Sequence, residues 1–114
     1  MVTPSAWPAV RTGHWRLLTS CRAVEEQILL IACNAVGMQA GDVELAGHSR
    51  VVDPWGQVLA EAGADESITM VQVDPSVVDQ VRDEFPVLLD RRIGIPGADR
   101  ISITSELTRR GSLA

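Results

Sequence analysis

Few side chains in this sequence can do covalent or acid–base chemistry. The chain has two cysteines, Cys21 and Cys33, and two histidines, His14 and His48; all ten basic residues are arginines, and lysine and tyrosine are absent. A cysteine nucleophile needs a nearby base to become thiolate, and the oxyanion it creates needs fixed positive charge or hydrogen-bond donors. Arginine cannot replace lysine as a proton shuttle, because its pKa stays above about 12. Cys33 closes an apolar run and precedes a loop, and Cys21 falls between Leu18 and Val24 on a helical pattern. Both positions suit inert thiols that behave as small hydrophobes. A zinc site from Cys21, Cys33, His14 and His48 would lack any close ligand pair, so neither a metal nor another cofactor is expected. His48 reads as a hydrogen-bonded structural histidine beside Ser49. Asp90-Arg91-Arg92 reads as local ion pairing, with binding of an acidic group as the alternative.

The elements that carry these residues can be taken along the chain. The first twelve residues, with Pro4 and Pro8 flanking Ser5-Ala6-Trp7, read as a loop. A helix is expected over residues 13–27, capped by Thr12 or Gly13, with Trp15, Leu18, Arg22 and Glu25 on one side. Ile28 to Cys33 is a continuous apolar run that suits a strand buried on both faces, although its length alone does not separate it from a helical continuation. Met38 to Asp42 reads as a polar loop, and Val43 to Ser49 as a short irregular strand. Arg50-Val51-Val52, Asp53-Pro54-Trp55-Gly56 and residues 57–61 form the clearest local signal, a β-hairpin. Pro54 pre-sets φ at the second turn position, and Asp53 and Gly56 suit the first and fourth. Ser67 to Val73 reads as a further strand. Asp74-Pro75 then opens a helix striped by Val78, Val81 and Phe85 and stopped by Pro86.

Composition limits the classes of function. At 114 residues the chain is one domain or part of one, able to bury roughly 65% of its unfolded surface. The net charge is −5 and no basic run is present, so nucleic acid is not an expected partner. No apolar stretch approaches the ~20 residues of a membrane span, and no signal-peptide pattern opens the chain. A cytoplasmic protein is expected, and two isolated cysteines fit a reducing compartment.

Several of these stretches, taken together, carry a resemblance. His14-Trp15-Arg16-Leu17-Leu18, Arg22-Ala23-Val24-Glu25, Ala32-Cys33-Asn34-Ala35-Val36-Gly37, Ala46 to Gly56, Phe85-Pro86-Val87-Leu88 and Asp90-Arg91-Arg92 resemble, in order and spacing, the C-terminal half of the carbon-nitrogen hydrolases, the nitrilase superfamily. The resemblance spans residues 3–93. It implies an α/β fold, the C-terminal half of an α-β-β-α sandwich, built as helix–strand–hairpin–strand–helix plus a tail. Residues 1–93 would form the hydrolase-like part, and residues 94–114 a tail, either packed on a neighbouring subunit or frayed. The family cleaves amides or nitriles with a Cys nucleophile, a Glu base and a Lys that stabilises the tetrahedral intermediate. No residue in this chain matches any of the three, so no catalytic residue is assigned. By the same resemblance Ser5, Ala6 and Trp7 would belong to the substrate-pocket wall; the alternative is a loose N-terminus whose Trp covers apolar surface. Arg22 and Glu25 would be structural, Glu25 either as a buried or half-buried partner of Arg22 or orienting a nearby loop, the alternative being an exposed i, i+3 ion pair, and Glu26 stands where the family usually has Asn. Asp53 and Gly56 would serve the hairpin turn.

Two functional readings follow. In the first, the chain is the C-terminal part of a longer carbon-nitrogen hydrolase, inactive alone, and an amide or nitrile is a substrate only of a full-length form. In the second, it is a non-catalytic assembly or binding module. Both predict self-association or a homo-oligomer, because half a sandwich leaves an apolar sheet face and a strand edge exposed.

Overall fold

A computed structural model describes residues 1–91. The expected tail from residue 94 onward, and Arg92 of the Asp90-Arg91-Arg92 cluster, lie outside the described residues.

The frame is a four-stranded sheet in the order β1 (Val2–Ser5), β2 (Leu30–Asn34), β5 (Arg50–Val52), β6 (Val58–Glu61). β1 runs parallel to β2, and the remaining pairs are antiparallel. The N-terminal stretch is therefore a strand and not the loop its prolines suggested. Pro4 is tolerated because β1 lies at the sheet edge, where a missing N–H costs no ladder bond.

Helix α1 (Thr12–Glu25) lies on one face of this sheet. Its buried stripe is Trp15, Thr19 and Ala23, spaced four apart, and Leu17, Leu18 and Val24 are exposed. This corrects the expected face. The small Thr19 and Ala23 let the helix approach the sheet, and the Thr19 hydroxyl is satisfied by the Trp15 carbonyl at 2.7 Å. Thr12 does not cap the helix; its hydroxyl donates to the Ala9 carbonyl of the preceding 3-10 turn, Ala9–Arg11. The helix stops at Glu25 because Gln27 adopts a left-handed φ of 47°. The core cluster comprises Trp15, Ala23, Leu30, Ala32 and Val52, with Trp7 and Ile28 against it.

β2 is not buried on both faces. Leu30, Ala32 and Asn34 are buried, Ile31 is half-buried and Cys33 is exposed. The short strand expected within Val43–Ser49 forms as β4 (Val43–Ala46), but the start of the expected loop at Met38 and Gln39 does not hold, because β3 (Val36–Gln39) pairs with β4 as a two-stranded ribbon. The ribbon joins the rest where the Ala46 N–H meets the Trp7 carbonyl at 2.8 Å.

Ser67 to Val73 forms no strand; Ile68 is 94% exposed and Met70 90%. Its β-forming composition finds no neighbouring strand among the described residues, and composition alone does not make a ladder. α2 (Val77–Glu84) forms, but it starts after Ser76 and not at Pro75, and Asp74 does not cap it; Asp74 Oδ1 instead accepts the Ser76 N–H at 2.9 Å in the turn just before it. Val81 is buried but Phe85 is more than half exposed. The buried Gln27 side chain ties the end of this helix down, donating to the Phe85 carbonyl at 2.7 Å.

The hairpin turn has the expected chemistry. Asp53 Oδ1 accepts the N–H groups of Trp55 and Gln57, each at 2.9 Å, and the Gly56 N–H reaches the Asp53 carbonyl at 2.9 Å. Pro54 is fully buried. Gly56 sits at φ +84°, and a Cβ there would lie 2.9 Å from Val24 Cγ2 on α1. Gly56→Val is expected to cost about 1–3 kcal/mol, and Pro54→Ala about 1 kcal/mol through the unfolded chain and lost packing. Urea unfolding midpoints check this; unchanged midpoints in both variants would contradict the turn.

Candidate functional site

The end of β2 is the junction of the molecule. Asn34 is buried there, and its side-chain amide bridges two segments distant in sequence. Oδ1 accepts the Trp7 N–H and Nδ2 donates to the Gly47 carbonyl, both at 2.8 Å. The Asn34 N–H meets Ser49 Oγ at 2.9 Å. Gly47 is required beside it: at φ +62°, an added Cβ would lie 2.8 Å from the Gly63 carbonyl oxygen.

His48 follows in a left-handed conformation, φ 53°, and its carbonyl accepts the Trp15 indole N–H at 2.8 Å. Its ring Nδ1 lies 3.3 Å from Arg16 Nη2, 3.3 Å from Glu61 Oε1 and 3.2 Å from the Ala62 carbonyl. Arg16 and Glu61 pair at 2.6 Å. Arg50, 6% exposed, projects from β5 under α1, where Nη1 donates to the Arg16 carbonyl at 2.8 Å. Its Nε faces Glu61 Oε2 at 3.5 Å, within ion-pair range but without a hydrogen bond. Burial pushes the Arg50 pKa down, Glu61 pushes it up and Arg16 pushes it down; a guanidinium remains charged throughout.

On the face of the sheet opposite α1 lies a cavity of about 390 Å³. Ile31, Cys33, Val51 and Ala60 form its floor, Asn34, His48 and Ser49 line one end, and Asp65, Thr69 and Val71 lie along its rim. Such a cavity, apolar with a few polar groups at one end, suits a small ligand or a covering layer.

The sequence-derived candidates separate in space. Ala6 and Trp7 line a second, open depression with Pro8, Arg11, His14 and Leu18, and Ser5 is not among its residues. Ser5 instead pairs with Asn34 across the β1–β2 ladder, and Trp7 stacks obliquely on Trp15 at 6.1 Å between ring centroids. Arg22 and Glu25 pair at 2.8 Å with side chains 54% and 47% exposed, the exposed i, i+3 ion pair and not the buried or half-buried one preferred from the sequence. The reason is that the helix turns its small residues to the sheet and leaves this flank to water. Cys33 is exposed on the open sheet face, and Cys21 is exposed on α1, 3.9 Å from Glu25 Oε2. Both were expected to be buried. His14 lies beside Arg11, away from His48. Among the described residues no group of three or more His, Cys, Asp or Glu is placed to hold a metal ion. Arg91 pairs with Glu26 at 2.6 Å.

A sequence profile of the carbon-nitrogen hydrolases matches residues 3–83. The chain belongs to the carbon-nitrogen hydrolase family. Over 86 residues it is 44% identical to a 2-oxoglutaramate amidase from Bacillus subtilis, covering 75% of this chain and 33% of that protein. An omega-amidase from Saccharomyces cerevisiae is 38% identical over 97 residues, covering 83% of this chain and 33% of the relative. The crystal structure of Saccharomyces cerevisiae Nit3 superimposes with a TM-score of 0.72 at 37% identity, over 82% of this chain and 35% of that one. A CN-hydrolase superfamily protein from Xanthomonas campestris gives 0.76 at 28% identity, over 84% and 37%. This carbon-nitrogen hydrolase chain thus spans about a third of the length of the relatives it matches, and its α/β fold is that of a portion of the nitrilase superfamily.

The residue that sequence reasoning missed in this hydrolase chain is Asn34. The available signal was an amide side chain directly after an apolar strand, where a polar residue at 7% exposure must be fully bonded. Asn34→Ala strands the Trp7 N–H and the Gly47 carbonyl and is expected to lower stability by about 1–3 kcal/mol, read from thermal or urea unfolding; a neutral result would contradict the junction. The Glu26–Arg91 pair gives a second expectation. The hydrogen bond from Arg91, opposed by desolvation and helped by the charges of Arg91 and Arg22, holds the Glu26 carboxyl below its ordinary range. A depressed carboxyl stabilises the fold above its unfolded pKa, and that contribution is lost as pH falls through the lowered folded value. In Arg91→Ala the Glu26 midpoint, followed by NMR, moves up toward the ordinary value; an unmoved midpoint would show the pair to be absent in solution.

Proposed function

We propose that this chain supplies one layer of a carbon-nitrogen hydrolase and performs no hydrolysis by itself. One observation carries the reading: a member of a Cys-Glu-Lys hydrolase family whose 114 residues include no lysine. Cys33 does not repair the deficit, because it lies within an interior strand of the sheet and β2 is followed by the strand β3, not by a strand-to-helix elbow. The similarity to 2-oxoglutaramate and omega-amidases points to the terminal amides of small dicarboxylic acids as the substrates of the complete fold. The proposed setting is cytoplasmic. Both cysteines are free, and among the described residues no helix is long and apolar enough to cross a membrane.

Alone, the chain is proposed to self-associate through its open sheet face. Burying about 400 Å² of apolar surface would contribute roughly 10 kcal/mol before the costs of association. Ammonia release from 2-oxoglutaramate tests the lack of catalysis. The purified chain is expected to give no turnover above buffer. Turnover that disappears in Cys33→Ser, with the circular dichroism spectrum unchanged, would overturn the proposal.

A further inference from the structure

The described arginines do not all find the same kind of partner. Arg16, Arg22, Arg50 and Arg91 pair with carboxylates, and Arg82 donates to the backbone carbonyls of Gln27 and Glu26. Arg11 is different. Among the described residues its guanidinium meets neither a carboxylate nor a carbonyl, and its side-chain contact is His14 Nδ1, 3.5 Å from Nη1. An arginine N–H can only donate, so Nδ1 is the acceptor and the neutral imidazole carries its proton on Nε2. The remaining guanidinium N–H groups and His14 Nε2–H are thus left as donors for another molecule. The neighbourhood supplies no acid to them. No Asp or Glu precedes Glu25 in the sequence, and no acidic residue lines the depression that Arg11 and His14 share. The first turn of α1 is likewise free of acidic residues, and the partial positive charge of a helix start adds to the same field.

The rest of that depression is apolar and held in place. It encloses about 580 Å³, and Ala6, Trp7, Pro8 and Leu18 wall it beside the two polar groups. The Trp7 N–H is bonded to Asn34 Oδ1, its carbonyl receives the Ala46 N–H, and its ring rests against the buried Trp15. The Pro8 carbonyl receives the Arg11 N–H at 2.9 Å, which closes the turn that carries Arg11. These walls are set before anything binds, so little ordering cost is left for binding. A guanidinium fork matches a carboxylate, and an apolar wall beside it matches a hydrocarbon body. An inorganic anion would use the fork and leave the wall empty.

We infer that this depression binds the carboxylate of a small organic acid, with Arg11 as its anchor, His14 as the second donor and the carbon chain of the acid against Trp7 and Leu18. The inference rests on the amidase reading above only for the choice of acid: 2-oxoglutaramate keeps a carboxylate that amide hydrolysis leaves untouched, and that is the group Arg11 holds. Ligand-observed saturation-transfer NMR on the purified full chain tests it, with 2-oxoglutaramate and benzoate as probes and chloride at matched ionic strength as the control. Both acids are expected to bind. Arg11→Gln is expected to weaken both by about tenfold or more. Arg11→Lys, which keeps the charge but loses the fork, weakens them by a smaller factor. Arg22→Gln, on the helix flank outside the depression, leaves both unchanged. Circular dichroism checks that each variant keeps the fold. Equal affinity in the parent chain and Arg11→Gln would overturn the inference, and so would binding that matched chloride abolishes. Benzoate bound through Arg11 with no binding of 2-oxoglutaramate would sustain the carboxylate site and refute the substrate reading alone.

Discussion

The alternation of side chains across four short strands decides what this chain can be. Its polar requirement is turned inward, where Arg50 is held under α1 by the Arg16 carbonyl, Thr19 and the Glu61 carboxylate. Burying a guanidinium is costly, and it persists only because these partners surround it. Once Arg50 is fixed on that side, Val51 must point to the other, and with it Ile31 and Ala60. The helix face is thus complete as it stands. The opposite face is made of the residues a protein normally hides.

The junction at Asn34 shows how the remaining segments are held to this sheet. One amide side chain fixes the turn after β1 and the backbone leading into the hairpin, and Trp15 fixes the next residue through the His48 carbonyl. These bonds join residues far apart in sequence, so they limit independent movement of the ribbon, the helix and the hairpin. They also shape the polar end of the cavity, where Asn34, His48 and Ser49 meet. Any chemistry over this face would be framed by groups whose positions are set by backbone bonding.

What could be read from the sequence was local. The turn at Asp53–Gly56 depends on residues within four positions of one another and formed as the turn chemistry required, while α2 was legible as a helix but begins two residues later than Asp74-Pro75 suggested. The resemblance to the hydrolase family was legible because it rests on the order of many segments. The face of α1 was not, since large apolar residues drew attention to Leu18 while packing chose the small Thr19 and Ala23. The strand from Ser67 to Val73 failed for a related reason: a strand is made by its neighbour, and residue preference does not specify one. The β1–β2 pairing and the bonding of Asn34 were hidden because their partners lie 13 or more residues away. For the same reason the expected pocket wall at Ser5, Ala6 and Trp7 divided between a ladder position and a separate depression.

The central claim is that, among the described residues, an apolar sheet face is left without a cover. Sedimentation equilibrium over a dilution series tests it most directly, because an uncovered face must find another surface. The account predicts a weight-average mass that rises with concentration above the 12.3 kDa of one chain, with circular dichroism showing the fold retained. A folded, monodisperse monomer at about 100 μM would contradict it, since a face of this kind should associate well below that concentration.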